Sequence, residues 1–261
     1  MKIVVRNCSS PGASFTENTN KVLLSVYDWI RENNFPTLLF KELREVLERE
    51  KNINNNNSRN IYPMVKQCGM ISYKKGMLDT NEFFTNTGLA YVKTLEMKRQ
   101  ILQGGYSEQK KQKAMAKVEK VITLQIYDGL KELLSAKTNY RENMLDLISY
   151  LERFDKINRE EFAYLLFVEQ QGTGVDFNTM SSVIQDYRNQ LLEIEVSVDV
   201  RNDIKIREDT KKDRRKEPIG FLSAFHYFTS LLSQAGLLEK EDKGNYYKCI
   251  KNRKNDLIKL R

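Results

Sequence analysis

Residues 59–90 read RNIYPMVKQCGMISYKKGMLDTNEFFTNTGLA, and this stretch decides the fold. Ile61, Met64 and Val65 recur at helical spacing, with Ser58 placed to cap the helix and Gly69 to end it. Met70–Tyr73 is a short apolar alternation, Lys74-Lys75-Gly76 a turn, and Glu82-Phe83-Phe84-Thr85 a returning strand, so a hairpin follows the helix. Thr87-Gly88 then leads into a helix over Leu89–Leu102, closed by Gly104-Gly105. Upstream, Val22, Leu23, Val26, Trp29 and Ile30 mark a helix over Thr19–Asn33, capped by Asn18 or Thr19. After Pro36, Leu39, Phe40, Leu43, Val46 and Leu47 mark another over Thr37–Glu50. The asparagine run Asn52 to Asn57 is too polar to pack and reads as a loop.

Three helices, a hairpin and a closing helix form the winged-helix order, which sends the third helix into a major groove and makes Lys74-Lys75-Gly76 a wing tip. The C-terminal end repeats that logic. Phe221–Ala235 is an aromatic-rich helix stopped by Gly236, Leu237-Leu238 starts a strand, Asp242-Lys243-Gly244-Asn245 turns, and Tyr246–Ile250 returns. Tyr140–Phe154 and Asn158–Glu169 supply the early helices of this second module. Between the modules, Tyr106–Lys120 is a lysine-rich helical connector and Val121–Ala136 a further helix. Phe177–Leu192 is helical, and Ile194–Ile206 is ambiguous between strand and helix. The expected architecture is mainly α with small β-hairpins: two winged-helix (helix-turn-helix) subdomains, 1–105 and 139–261, joined by a helical linker, 106–138.

The 261 residues are 40% apolar and 30% charged, enough for a real core, with few glycines and prolines to suit a turn-rich barrel or sandwich. Net charge is +8 and uneven: +5 over residues 1–105, −4 over 106–200 and +7 over 201–261. Two basic segments around an acidic middle suit a polyanionic partner. No apolar run reaches a membrane span and the first ten residues lack a signal-peptide core, so a cytoplasmic protein is expected. Cys8, Cys68 and Cys249 are too far apart for a zinc knuckle and too few for a disulfide framework. The single histidine, His226, lies in an apolar helix. No phosphate-binding glycine loop occurs, and Gly172-Thr173-Gly174 lacks the rest of a dinucleotide fingerprint. Glu160-Glu161 opens a helix, where carboxylates complement the dipole. The weak candidates for a Mg²⁺ nuclease centre are Glu193 with Asp203 and Lys205, an acid followed by Asp-x-Lys; no parallel sheet is expected around them.

Arg59-Asn60-Ile61-Tyr62-Pro63-Met64-Val65-Lys66-Gln67-Cys68-Gly69-Met70, followed by Phe84-Thr85-Asn86-Thr87-Gly88-Leu89-Ala90, resembles the first recognition helix and wing of Type IIS restriction endonucleases of the AlwI, PleI and MlyI kind and their nicking relatives. Ile157-Asn158-Arg159-Glu160-Glu161-Phe162 and Ile184-Gln185-Asp186-Tyr187-Arg188 look like the family's helical segments. Leu231-Leu232-Ser233-Gln234-Ala235-Gly236-Leu237-Leu238 looks like its second recognition helix entering the second wing. The similarity spans roughly residues 55–261. It implies sequence-specific double-stranded DNA binding at a short asymmetric site, by the recognition part of an endonuclease. The nuclease domain would follow C-terminally or sit on a catalytic subunit. No cofactor is implied for this chain, Mg²⁺ being expected only for that separate domain. Ser58, Arg59, Asn60 and Lys66 would face the groove, since arginine and asparagine read guanine and adenine bidentately. Lys74 and Lys75 would hold phosphate at the first wing, Lys243 and Asn245 at the second, and Arg214, Arg215 and Lys216 would lead the second recognition helix. A stand-alone winged-helix transcription regulator is the alternative reading, and a complete nuclease a third.

Overall fold

The computed structural model describes residues 1–6, 8–33, 37–73, 77–172, 174–198, 219–241 and 245–261, and only the backbone of 55–58, 198 and 219–220. The chain is mainly helical with small sheets and divides into two compact units. Pro11–Ala136 with Ser230–Gly236 form one; Met1–Ser10, Lys137–Thr229 and Leu237–Arg261 form the other.

In the first unit, α1 (Glu17–Asn33) buries Val22, Leu23, Val26 and Trp29. Its cap is Thr16 rather than Asn18 or Thr19: the Thr16 hydroxyl accepts from the Thr19 amide at 3.3 Å, while buried Thr19 donates its own hydroxyl to the Ser14 carbonyl. A short strand β2 (Thr37–Leu39) leads into α2 (Phe40–Lys51), which buries Leu43 and Leu47. The asparagine run is less of a loop than its polarity suggests. Asn52 ends α2 in the left-handed conformation, and α3 (Asn55–Gln67) already begins at the fourth residue of the run. Ser58 therefore lies inside the first turn of α3 and is not its cap. Pro63 within this helix costs about 3 kcal/mol, but Ile61, Tyr62, Met64 and Val65 are all buried, each contributing roughly 1.5–3 kcal/mol. Packing outweighs propensity.

The hairpin differs from the sequence reading. Met70–Tyr73 and Glu82–Thr85 meet only at one bridge, Ile71 with Phe84. Between them lies a strand, β3 (Met77–Asp79), that runs antiparallel to β2 with Leu78 opposite Leu38. Leu78 is buried while Met77 and Asp79 are exposed. Next come α4 (Asn86–Gln103) and α5 (Glu108–Ser135). The lysine-rich connector and the helix after it are this single 28-residue element; α5 packs on α4 and α3 within the first unit, so 106–138 is not a separate linker. Its first ten residues leave no side chain buried, which explains the lysines there.

In the second unit, α6 (Arg141–Phe154), the two-residue strand β4 (Lys156–Ile157) and α7 (Arg159–Gln170) follow in close succession. The Asn158 side chain caps α7 by accepting from the Glu161 amide at 2.9 Å. Helix α8 (Phe177–Arg188) stops four residues earlier than its apolar pattern suggests, because Asn189 turns the chain and Gln190 is left-handed. The ambiguous stretch after it becomes a strand, β5 (Glu195–Val198), parallel to β1 (Lys2–Val5). A parallel pair therefore exists where none was expected, with α7 packed across it. Helix α9 (Ile219–Gln234) belongs to this unit as far as Thr229, and β6 (Leu238–Lys240) and β7 (Tyr247–Cys249) complete it, with a 3-10 turn (Lys251–Arg253) and α10 (Lys254–Ile258). The sheet order is β4-β7-β6, all antiparallel. No helix among the described residues is long and apolar enough to cross a membrane.

Candidate nucleic-acid interface

Helix α3 turns its apolar residues inward and leaves Arg59, Asn60, Pro63 and Lys66 exposed on the opposite face. Pro63 has no N–H, so the Arg59 carbonyl lacks its helical donor on that exposed face. The end of the helix is rigidly made. Gly69 sits at φ 69°, its amide bonded to the Lys66 carbonyl and the Met70 amide to the Val65 carbonyl, a Schellman closure. The Thr85 hydroxyl donates to the Gly69 carbonyl at 2.7 Å and accepts from the Gly88 amide at 3.1 Å. The exit of α3 and the start of α4 are thereby tied together, which fixes the direction of α3.

Several cations of the first unit are neutralised by carboxylates. Arg99 grips Asp28 with two bonds of 2.6 and 3.1 Å, Arg31 meets Glu96 at 3.0 Å, and Lys51 meets Glu32 at 2.8 Å. Arg59 and Asn60 differ: both are exposed, and neither has a hydrogen-bond or ion-pair partner among the described residues. Lys66 is exposed but tethered. Its ammonium donates to the Tyr73 carbonyl at 2.7 Å and lies 4.5 Å from the centre of the Tyr73 ring. Tyr73 in turn stacks on Phe40 at 4.6 Å with nearly parallel planes, and Phe40 meets Tyr62 edge-on at 5.0 Å. Sequence reasoning passed over Phe40, Arg44 and Tyr73; the four-residue spacing of Phe40 and Arg44 on α2 was the available signal.

Thus α3 brings Arg59, Asn60 and Lys66 onto one exposed face. Lys74, Lys75, Arg214, Arg215, Lys216 and Lys243 lie outside the described residues, as does the Ser58 side chain. Asn245 is exposed and left-handed at φ 56°, just before the strand that returns from the turn. In the second unit, α9 shows no lysine or arginine from Phe221 to Gln234, and only His226 is exposed in that span. Of the nuclease candidates, Glu193 is exposed with its backbone carbonyl bonded to the Met1 amine, while Asp203 and Lys205 lie outside the described residues. No group of three or more His, Cys, Asp or Glu is placed to hold a metal among the described residues.

Glu160 and Glu161, alike in sequence, part company in the structure. Glu160 pairs with its neighbour Arg159 near the surface. Glu161 is fully buried, accepting from both Arg188 Nε (2.7 Å) and Nη2 (3.0 Å) and from the Tyr150 hydroxyl (3.0 Å). Arg188 also donates to the Phe154 and Lys156 carbonyls. Burial pulls the Arg188 guanidinium down, but the bonds and charge of Glu161 outweigh it and hold the group above its ordinary value. Every strong donor and acceptor of this centre is matched, so it braces α6, α7 and α8 rather than presenting chemistry. Burial, reinforced by Glu169, pushes the Cys8 thiol up to about 12, which disfavours its thiolate. The chain matches no family model, no curated protein and no solved structure.

Proposed function

We infer that this chain binds double-stranded DNA sequence-specifically, as the recognition part of a Type IIS restriction or nicking endonuclease reading a short asymmetric site. The observation that carries this reading is the exposed face of α3, where Arg59 and Asn60 have no hydrogen-bond or ion-pair partner among the described residues, whereas Arg31, Lys51 and Arg99 of the same unit are paired with carboxylates. A guanidinium and a carboxamide one residue apart suit guanine and adenine edges, and α3 is the helix set to enter the groove. The order of elements supports two winged helices: α1, β2, α2 and α3 with the bridged leg after it, and α6, β4, α7 and α9 with the β6–β7 hairpin. In the second, β4 joins the sheet beside β7, and α8 and β5 are insertions. Cutting is assigned to a separate nuclease domain or subunit, which would supply the Mg²⁺ site.

Binding-site selection on the chain tests this. An asymmetric site of a few base pairs is expected, whereas a palindrome would move the protein to the regulators, because two-fold readers select two-fold sites. Arg59→Ala should lose about 1–3 kcal/mol on the selected duplex and much less on a scrambled one, measured by fluorescence anisotropy. Equal losses on both would reduce Arg59 to a phosphate contact.

A further inference from the structure

We propose that Arg44, on the α2 side of the recognition helix, is a phosphate-binding residue whose ligand is a backbone phosphodiester of the duplex. The inference rests on the DNA-binding reading above and adds to it a contact on a different helix.

Arg44 lies one turn after Phe40 on α2 and is half-buried. Its Nε is sealed from solvent yet has no hydrogen-bond partner, and the side chain makes no ion pair among the described residues. The adjacent lysine on the same helix is served instead: Lys41 meets Glu45 at 3.5 Å. The Tyr62 hydroxyl, on a residue only 1% exposed, is also unpartnered among the described residues. Burial raises the Tyr62 phenol above its ordinary value and the Arg44 charge opposes that rise, so the two groups are electrostatic neighbours. A half-buried guanidinium that makes no ion pair among the described residues has positive charge left for an anion from outside. With Nε sealed, the two terminal Nη nitrogens are the donors left for phosphate oxygens.

The position fits that ligand. Lys66, Tyr73, Phe40 and Arg44 form a continuous strip: Lys66 lies over Tyr73, Tyr73 stacks on Phe40, and Phe40 precedes Arg44 by one helical turn. Lys66 shares the exposed face of α3 with Arg59. A duplex seated on α3 would carry its sugar-phosphate chain along such a flank, and a contact there sets the register without reading bases.

The test uses the full chain with a mixed-sequence 30-base-pair duplex and with the duplex found by selection, titrated by anisotropy across a range of salt. Arg44→Gln should weaken binding by roughly tenfold on both duplexes and reduce the slope of log K against log salt by about 0.9, the signature of one lost phosphate contact. Arg44→Lys keeps the charge without the fork, so its slope should stay near that of the parent while affinity falls. Phosphate ethylation interference should reveal one position that hinders the parent and not Arg44→Gln. Circular dichroism and thermal melting establish that each variant folds; if Arg44→Gln does not, Arg44→Lys with the interference map decides. An unchanged slope and map, with Arg59→Ala still impaired, overturns the Arg44 assignment alone and leaves its unmatched atoms to packing or a buried water. Failure of the parent chain to bind any duplex in dilute buffer overturns both readings.

Discussion

A Cβ added to Gly88 would stand 1.7 Å from the Met70 carbonyl oxygen, far inside contact distance, and the obstacle is backbone rather than a side chain that can swing away. Gly88→Ala should therefore cost at least about 3 kcal/mol, read from urea unfolding. Gly105→Ala, where nothing lies within 4 Å, is the control and should stay within about 0.5 kcal/mol. At this scale the sequence showed where a helix opens but not why. Thr87-Gly88 was legible as the lead into a helix, but Thr85, read as the end of a strand, is its cap, and the Gly69 and Met70 carbonyls it serves lie across a fold-back that no local pattern records. The same holds for Glu161. Its partner Arg188 is 27 positions away, and helix phase alone separates it from Glu160.

Helices α6 and α7 were legible to within a few residues because each has an apolar stripe, and α7 has Asn158 as its cap. Their contact was not legible, and it has a pH signature. Asp146 on α6 is pushed up to about 6, first by burial, then by the nearby carboxylates of Glu169 on α7 and Glu142 on α6, against the pull of Arg261. Between about pH 4 and 6 the folded chain keeps a proton that the unfolded chain has released. Stability from this group thus falls as pH rises through that window, and the full cost is present above it. Asp146→Asn should stabilise the protein by about 1 kcal/mol at pH 7.5, a figure discounted for partial solvent exposure, and by nothing near pH 4. Melting curves at the two pH values check it; an equal gain at both would point to packing instead. The strands were the poorest reading. β2, β3 and β4 span only two or three residues and exist through their partners, so a period-two pattern has no length in which to show itself.

For the molecule as a whole, the charge asymmetry along the chain was plain in the sequence. What could not be read is that the chain crosses back. Residues 1–10 belong to the second unit, where β1 pairs with β5 and Arg6 bonds to Gln170. Removing residues 1–6 should speed amide exchange in 195–198 and in the last turn of α7, and leave α4 as it was; mass spectrometry of deuterated peptides reads this. Unaltered exchange at 195–198 would mean that β5 holds without a neighbour.

The seven residues Ser230–Gly236 make the reverse crossing and finish the first unit. Domains ordinarily fold one after another as they leave the ribosome, but here neither body has all its parts until translation has passed residue 236. A nascent chain cut short by a stalled ribosome before residue 236 would hold an unfinished first unit.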